Sequence, residues 1–259
     1  MAFIVNSILT IRSVLFFTGY ALITVFICTT GLLFTSFLPF HVRGRYFVLG
    51  NAAIILWLRI CCGVKTEVRG KLPSTVPYVA MAKHQSQWET FYLQWFLFPV
   101  ATVVKRELFS IPFFGWALRM MNAIGIDRSN PRAAIRQTME QGLSRLRNNY
   151  NVLIFPEGTR TPVGVRGKYA RSGAGIAIEA GVPVLPIAHN GGKLWPARGL
   201  RIKPGTVILV IGDAIPTAGR ESKELSLEVE NWIEAQCELI QYVWRQLSWP
   251  VGDNYDGRL

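Results

Sequence analysis

Several residue patterns that mark common kinds of site are missing from this chain. Its four cysteines are Cys28, inside an apolar segment, the adjacent Cys61 and Cys62, and Cys237. They form neither a disulfide framework nor a metal spacing, which fits a reduced compartment. Histidine is scarce: His41, His84 and His189 are the three present. With one plausible catalytic histidine among them, no metal site is expected. There is no Gly-x-Ser-x-Gly elbow, and no cysteine has a histidine near it in sequence. Both absences disfavour a nucleophilic serine or thiol. Internal repeats, low-complexity linkers and recognisable nucleic-acid modules are absent, and the basic residues are spread along the chain, so no nucleic-acid partner is expected. Acidic residues are the scarcer charge, 16 against 28 Lys and Arg, giving a net charge of +12 and a pI near 9.9. Such a balance favours anionic partners: phosphates, anionic headgroups or an acidic carrier.

What is abundant is apolar. Hydrophobic residues make up 50% of the 259 and the mean hydropathy is +0.26, yet charged residues at 17% leave room for a water-facing domain. Val14 to Leu38 carries no charge and exceeds the roughly 20 residues a bilayer span requires. Pro39 stops it, and a second apolar stretch, Tyr46 to Val64, is interrupted by Asn51 and Arg59. The two read as an antiparallel hairpin that either spans or dips into one leaflet. Arg12 precedes the first stretch, whereas Arg43, Arg45, Arg59 and Lys65 lie after it. The positive-inside tendency therefore places the remainder of the chain on the cytoplasmic face, that of the inner membrane in a bacterium. The expected organisation is a membrane-associated helical hairpin over 1–63 and an α/β domain over 64–259.

Within that domain strands alternate with helices, which predicts α/β architecture: a mixed sheet flanked by helices. Strands are expected at Val64–Arg69, Tyr78–Ala82, Val100–Val104, Ala123–Ile126, Asn151–Phe155, Val182–Ile187 and Thr206–Ile211. Pro183 and Pro186 would make the sixth an edge or irregular strand. Helices are expected at Phe91–Phe98, at Ile111 to about Met121, after Asn130-Pro131 with a buried stripe of Ile135, Met139, Leu143 and Leu146, at Gly173–Ala180, and at Ser222–Leu247. In the last of these, Leu225, Val229, Trp232, Ile233, Ile240, Val243 and Leu247 form the apolar side.

Three polar clusters come directly after expected strands: His84/Glu89, Lys105/Arg106 and Glu157/Arg160. Ligands of open α/β sheets gather outside strand carboxyl ends. On a helix, five residues are about 140° out of register, so His84 and Glu89 can meet only if His84 lies in the loop before the helix. Ser86-Gln87-Trp88-Glu89 fits a capping box with Ser86 as N-cap, which would leave His84 there. An imidazole near a helix N-terminus is favoured neutral, and a carboxylate on its other nitrogen fixes the tautomer. That pair suits a general base acting on an alcohol. The same residues are equally compatible with a plain capping carboxylate beside a loop histidine. Arg160 can grip phosphate bidentately and Lys105 can add a point charge. Gly158 lets backbone approach a ligand. Arg160 paired with Glu157 as a structural ion pair is the competing reading.

Taken together, His84–Glu89, Lys105-Arg106-Glu107-Leu108 with Pro112 and Gly115, Phe155–Arg160, and Val182-Pro183-Val184-Leu185-Pro186 resemble the four ordered blocks of the glycerophospholipid acyltransferase family. The resemblance spans roughly Lys65 to Gly212 and extends to the N-terminal hairpin. Two residues depart from the common pattern: Glu89, where Asp is usual, and Lys83, where Asn is frequent. The resemblance implies direct transfer of an acyl group from acyl-CoA or acyl-carrier protein to the free hydroxyl of lysophosphatidic acid at the membrane, with no cofactor. His84 would be the base and Glu89 its orienting acid. Lys105 and Arg160 would bind the phosphate, with Arg128 as a weaker candidate. Glu157 would contact the glycerol, with Gly158 and Thr159 in the same loop. The alternatives are a related transferase for another lysolipid or glycerol 3-phosphate, a non-catalytic lipid-binding protein, and an interfacial lipid hydrolase.

Overall fold

A computed structural model describes residues 2–74, 77–127 and 129–247, with the side chains of residues 2, 3, 131 and 243–247 outside the description. Helix α1 (Ala2–Thr35) and helix α2 (Phe40–Cys62) form the hairpin. Both begin earlier than the charge-free stretches suggest, because Arg12, Arg43 and Arg45 are accommodated within helices. Along α1 the hydroxyls of Thr10, Ser13, Thr18, Thr24 and Thr35 each donate to the carbonyl four residues back, so the apolar helix carries these hydroxyls satisfied. Gly63, in the left-handed region at φ 70°, closes α2 by donating to Arg59 O.

Seven strands among the described residues form one mixed sheet: β1 (Val64–Arg69), β2 (Val79–Ala82), β3 (Val100–Lys105), β4 (Ile124–Ile126), β5 (Asn151–Ile154), β6 (Val184–His189) and β7 (Gly205–Ile211). Their order is β1-β7-β6-β2-β5-β3-β4, and all pairs are parallel except β6–β7. The interleaved helices are α3 (Trp88–Phe96), α4 (Phe114–Met120), α5 (Pro131–Arg147), α6 (Ser172–Ala180), the short α7 (Gly191–Leu194) and α8 (Ser222–Leu247). A separate 3-10 turn, Arg106–Ser110, precedes α4.

The period of a strand divides two cores. Tyr78, Ala80 and Ala82 face α3 and the hairpin, packing in one cluster with Phe16, Ile54, Leu58, Trp88 and Phe91. Val79 and Met81 face the opposite way, toward Ile176 of α6 and Val229 and Ile233 of α8. The hairpin thus shares a core with the sheet. Arg12 donates to Cys61 O at 2.6 Å, Ser13 Oγ accepts from Ile202 N–H at 2.9 Å, and the Phe16 ring meets Trp195 edge-on at 5.1 Å. Further along α1, Tyr20 meets Phe91, and Cys28 packs in one cluster with Ala117 and Met121 of the α4 region.

Two local expectations are corrected. β6 is an interior strand between β2 and β7, not an edge. Pro186 O still accepts from Gly212 N–H at 3.0 Å, so the strand stays tied to the β7 side through its carbonyl, and the proline costs the reciprocal donor alone, between the last β6–β7 pair and the Val184–Ile215 bridge. In α5, Ile135 is 58% exposed, while Thr138, Gly142 and Leu146 are buried. Gly142 brings the helix against Ile176, where a Cβ would sit 3.0 Å from the Ile176 side chain, and this close approach sets the buried face. The apolar side of α8 is as expected at Leu225, Val229, Ile233 and Ile240, with Trp232 partly buried. Val243 and Leu247 lie outside the described side chains.

Candidate active site

The carboxyl ends of the adjacent parallel strands β2, β5 and β3 bring the three polar clusters to one edge of the sheet. The chain leaves β2 through Lys83 and reaches His84 in the loop before α3. The helix starts at Trp88, with Gln87 in the capping position, one residue later than the box predicts. Half of the box survives: Glu89 reaches back to Ser86 N–H at 2.7 Å, while Ser86 Oγ accepts from Trp88 N–H. The same oxygen, Glu89 Oε1, accepts from Gln85 N–H at 2.8 Å and lies 2.9 Å from His84 Nδ1. A carboxylate can only accept there, so Nδ1 carries the proton and Nε2 keeps its lone pair. The Glu side chain is long enough to close this contact, and it is fully buried.

His84 lies flat on Phe155, rings 4.2 Å apart, with its side chain 15% exposed. His84 lines a cavity of about 610 Å³ whose wall is mostly apolar: Tyr20 and Val25 from α1, Phe91 from α3, and Leu108 with Ile111 to Phe114 around the 3-10 turn. Lys105, Thr159 and Arg160 line the same cavity. Lys105 is half-exposed and pairs with Glu107 at 3.2 Å. Arg160 makes no ion pair among the described residues. The structure therefore gathers His84 and two cations around one largely apolar chamber. Arg128 lies outside the described residues. Gly158 sits at φ 68°, a turn conformation that favours glycine, and a Cβ added there would meet nothing within 4 Å.

Glu157 departs from expectation. Its side chain is 1% exposed and turned inward, away from any acceptor in the cavity. It lies 3.4 Å from Lys83 Nζ, not against Arg160, and its Oε1 accepts from His84 N–H at 3.2 Å. Burial pushes its carboxyl above the ordinary value, against the pull of Lys83. The loop it starts also holds His84 from the other side: Thr161 N–H and Oγ1–H both donate to His84 O.

Sequence reasoning missed the layer beneath His84. Lys83 is buried, and its ammonium donates to Glu234 Oε1 at 2.6 Å and to Val165 O at 3.1 Å. Tyr169 donates to the same Glu234 oxygen at 2.9 Å. His189, at the end of β6, accepts from Gly191 N–H on Nδ1 and so donates from Nε2 to Lys83 O at 2.8 Å. Burial holds it below its ordinary pKa, against the pull of Glu89. Its Nε2 is 3.9 Å from Glu89 Oε2, an oxygen with no hydrogen-bond partner among the described residues. Burial opposes ionisation of Glu89, yet His189, His84 and the Ser86 N–H together hold its carboxyl below the usual range. A signal for this layer does exist in the sequence. Glu234 comes next to Ile233 on the apolar side of α8, and a charge in that position needs a buried partner.

A histidine–carboxylate pair beside two cations, at an apolar chamber walled in part by α1, is an arrangement suited to acyl transfer onto a phosphate-bearing lipid. The class of the protein follows from its comparison with known proteins. The family profile described as Acyltransferase matches residues 64–190. The chain is 41% identical over 251 residues to the 1-acyl-sn-glycerol-3-phosphate acyltransferase of Pseudomonas aeruginosa, covering 95% of this chain and 97% of that one. It is 32% identical over 173 residues to the human alpha form, covering 64% of this chain and 60% of the human protein. The crystal structure of the 1-acyl-sn-glycerophosphate acyltransferase from Thermotoga maritima superposes with a TM-score of 0.73 at 25% identity, covering 93% of this chain and 98% of that one. The chain belongs to the 1-acyl-sn-glycerol-3-phosphate acyltransferase family.

Proposed function

We infer that this enzyme acylates the position-2 hydroxyl of 1-acyl-glycerol 3-phosphate, lysophosphatidic acid, giving phosphatidic acid for phospholipid synthesis. The observation that carries the mechanism is the His84 Nδ1–Glu89 contact of 2.9 Å, which leaves Nε2 as the basic nitrogen on a ring lining the cavity. Nε2 takes the hydroxyl proton as the oxygen attacks the carbonyl carbon of the acyl thioester. Collapse of the tetrahedral adduct breaks the C–S bond, and the imidazolium returns its proton to the thiolate. The products are the ester and the free thiol of CoA or acyl-carrier protein. Glu89 stabilises the transient imidazolium, and a base of this kind contributes about 10²–10⁴-fold. Arg160 and Lys105 hold the acceptor's phosphate, with Thr159 at the same wall. The acyl donor is itself a substrate, and the chemistry calls for no further cofactor.

Both hairpin helices are long and apolar enough to cross a membrane. The contacts of α1 with the domain from Arg12 to Cys28 favour the reading in which the hairpin lies along one leaflet, with its exposed residues such as Leu22, Phe26, Phe34 and Phe37 in the acyl chains. On that reading the cavity opens at the lipid–water boundary, and the charge bias of the sequence supports the cytoplasmic face. Thiol release from acyl-CoA and from acyl-carrier protein, measured with lysophosphatidic acid, lysophosphatidylcholine or glycerol 3-phosphate as acceptor, tests the assignment. Release that depends on lysophosphatidic acid, with phosphatidic acid formed, is expected. Silence with that acceptor and both donors would overturn it, and thioester-independent loss of an acyl chain would point to a hydrolase.

A further inference from the structure

We propose that Lys83 is a positioning residue for His84, and that Glu234 of the C-terminal helix holds it in that role. Lys83 is gripped at every polar atom. Its N–H donates to Ile187 O at 3.1 Å, its carbonyl accepts from His189 Nε2–H at 2.8 Å, and its ammonium binds Glu234, Val165 O and Glu157. The next residue is the base. The carboxylate facing that ammonium, Glu157, also accepts the N–H of His84. One cation therefore ties β2, the loop after β5, the segment at Val165 and a helix 151 residues away to the peptide that carries the imidazole. None of these groups lies on the cavity surface that an acceptor or donor would touch; the Lys83 and Glu157 side chains are each 1% exposed. A buried ammonium between two carboxylates is costly to maintain for stability's sake, since neutral side chains of similar shape serve as well or better. What it supplies here is a fixed origin for the base, and reacting groups lose rate steeply when displaced by about an ångström.

The proposal rests on His84 being the base, so the test carries that control. Detergent-solubilised full-length wild type, His84→Ala, Lys83→Met, Glu234→Gln and the double variant Lys83→Met/Glu234→Gln are compared for Tm, and for kcat and KM with lysophosphatidic acid and a thioester donor. Lys83→Met leaves Glu234 and Glu157 without their cation, and Glu234→Gln leaves Lys83 with Glu157 alone; each is expected to lower both Tm and kcat. The double variant removes one charge of each sign and leaves Glu157, whose carboxyl burial already pushes toward the neutral form, so its Tm is expected to lie above that of Lys83→Met. Its kcat is expected to stay about 10–100-fold down with KM unchanged. A double variant whose kcat recovers together with Tm, or whose defect lies in KM, overturns the positioning role. Should Lys83→Met not fold, Glu234→Leu decides: it removes the acceptor that Lys83 and Tyr169 share, and a kcat equal to wild type contradicts the proposal. An inactive wild type, or an active His84→Ala, would instead overturn the functional reading beneath it.

Discussion

Replacing Glu89 by Gln isolates what the charge behind the imidazole contributes. The substitution is nearly isosteric, and three donors converge on Oε1: His84 Nδ1–H, Gln85 N–H and Ser86 N–H, at 2.9, 2.8 and 2.7 Å. They orient the Gln amide with its oxygen in that place, so the tautomer of His84 and the course of the loop are preserved. The NH2 group then occupies the position of Oε2, the oxygen without a partner, on the side of His189. What disappears is the negative charge 2.9 Å from a ring that becomes cationic in the transition state. Coulomb's law at an effective dielectric near 20 sets a ceiling of about 6 kcal/mol. A neutral hydrogen bond retains part of the interaction, which leaves about 2–4 kcal/mol. At 1.36 kcal/mol per decade, kcat should fall about 30- to 1,000-fold. Glu89 is fully buried and reaches no substrate, so KM for lysophosphatidic acid should stay within about twofold. Initial rates of thiol release across a range of acceptor concentrations measure both. A kcat within threefold of wild type, or a loss confined to KM, would refute the argument.

Further consequences are as direct. Arg160→Ala removes an exposed guanidinium from the cavity and should raise KM for the phosphate-bearing acceptor about 10- to 100-fold, the worth of a charged hydrogen bond; equal losses with a phosphate-free acceptor would remove the phosphate role. Gly115→Ala places a Cβ 2.3 Å from Phe109 O and 2.8 Å from Leu108 O, so it should cost about 1–3 kcal/mol and shift the 3-10 turn that walls the cavity; an unchanged Tm contradicts this. The folded pKa of His189 is depressed from 6.5, so its contribution to stability is complete above that pH and is lost as pH falls through the folded value, with Glu89, depressed from 4.5, adding the same sign further down. Tm should therefore drop on acidification below about pH 6.5, and the first part of that drop should flatten in His189→Gln; identical slopes would exclude His189 as its source.

The sequence announced what is local. His84 and Glu89 are five residues apart, and a strand end leading into a helix start confines their meeting to a few geometries. Strand–helix alternation likewise carried the sheet, and the charge-free stretches carried the hairpin. What could not be read was set by partners distant in the chain. Pro186 suggests an edge strand because the rule counts the lost donor, whereas its carbonyl still holds Gly212 and β6 stays paired on both sides, a compensation by a segment remote in sequence. Ile135 was misplaced because the face of α5 is chosen by the approach of Gly142 to α6, not by the density of apolar residues. Glu157 looked like a substrate contact beside Arg160, yet its partner Lys83 is brought from another strand end, and the counter-charge Glu234 from the last helix. Burial and pairing between remote segments leave at most a single out-of-place charge as a trace.

The central claim is that His84 Nε2 takes the acceptor's proton. Its most direct test is the turnover of His84→Ala against wild type with lysophosphatidic acid and a thioester donor, alongside acceptor binding measured without donor. The account predicts a fall in kcat of at least about 10²-fold with acceptor affinity and Tm retained. Turnover equal to wild type in the correctly folded variant would contradict it.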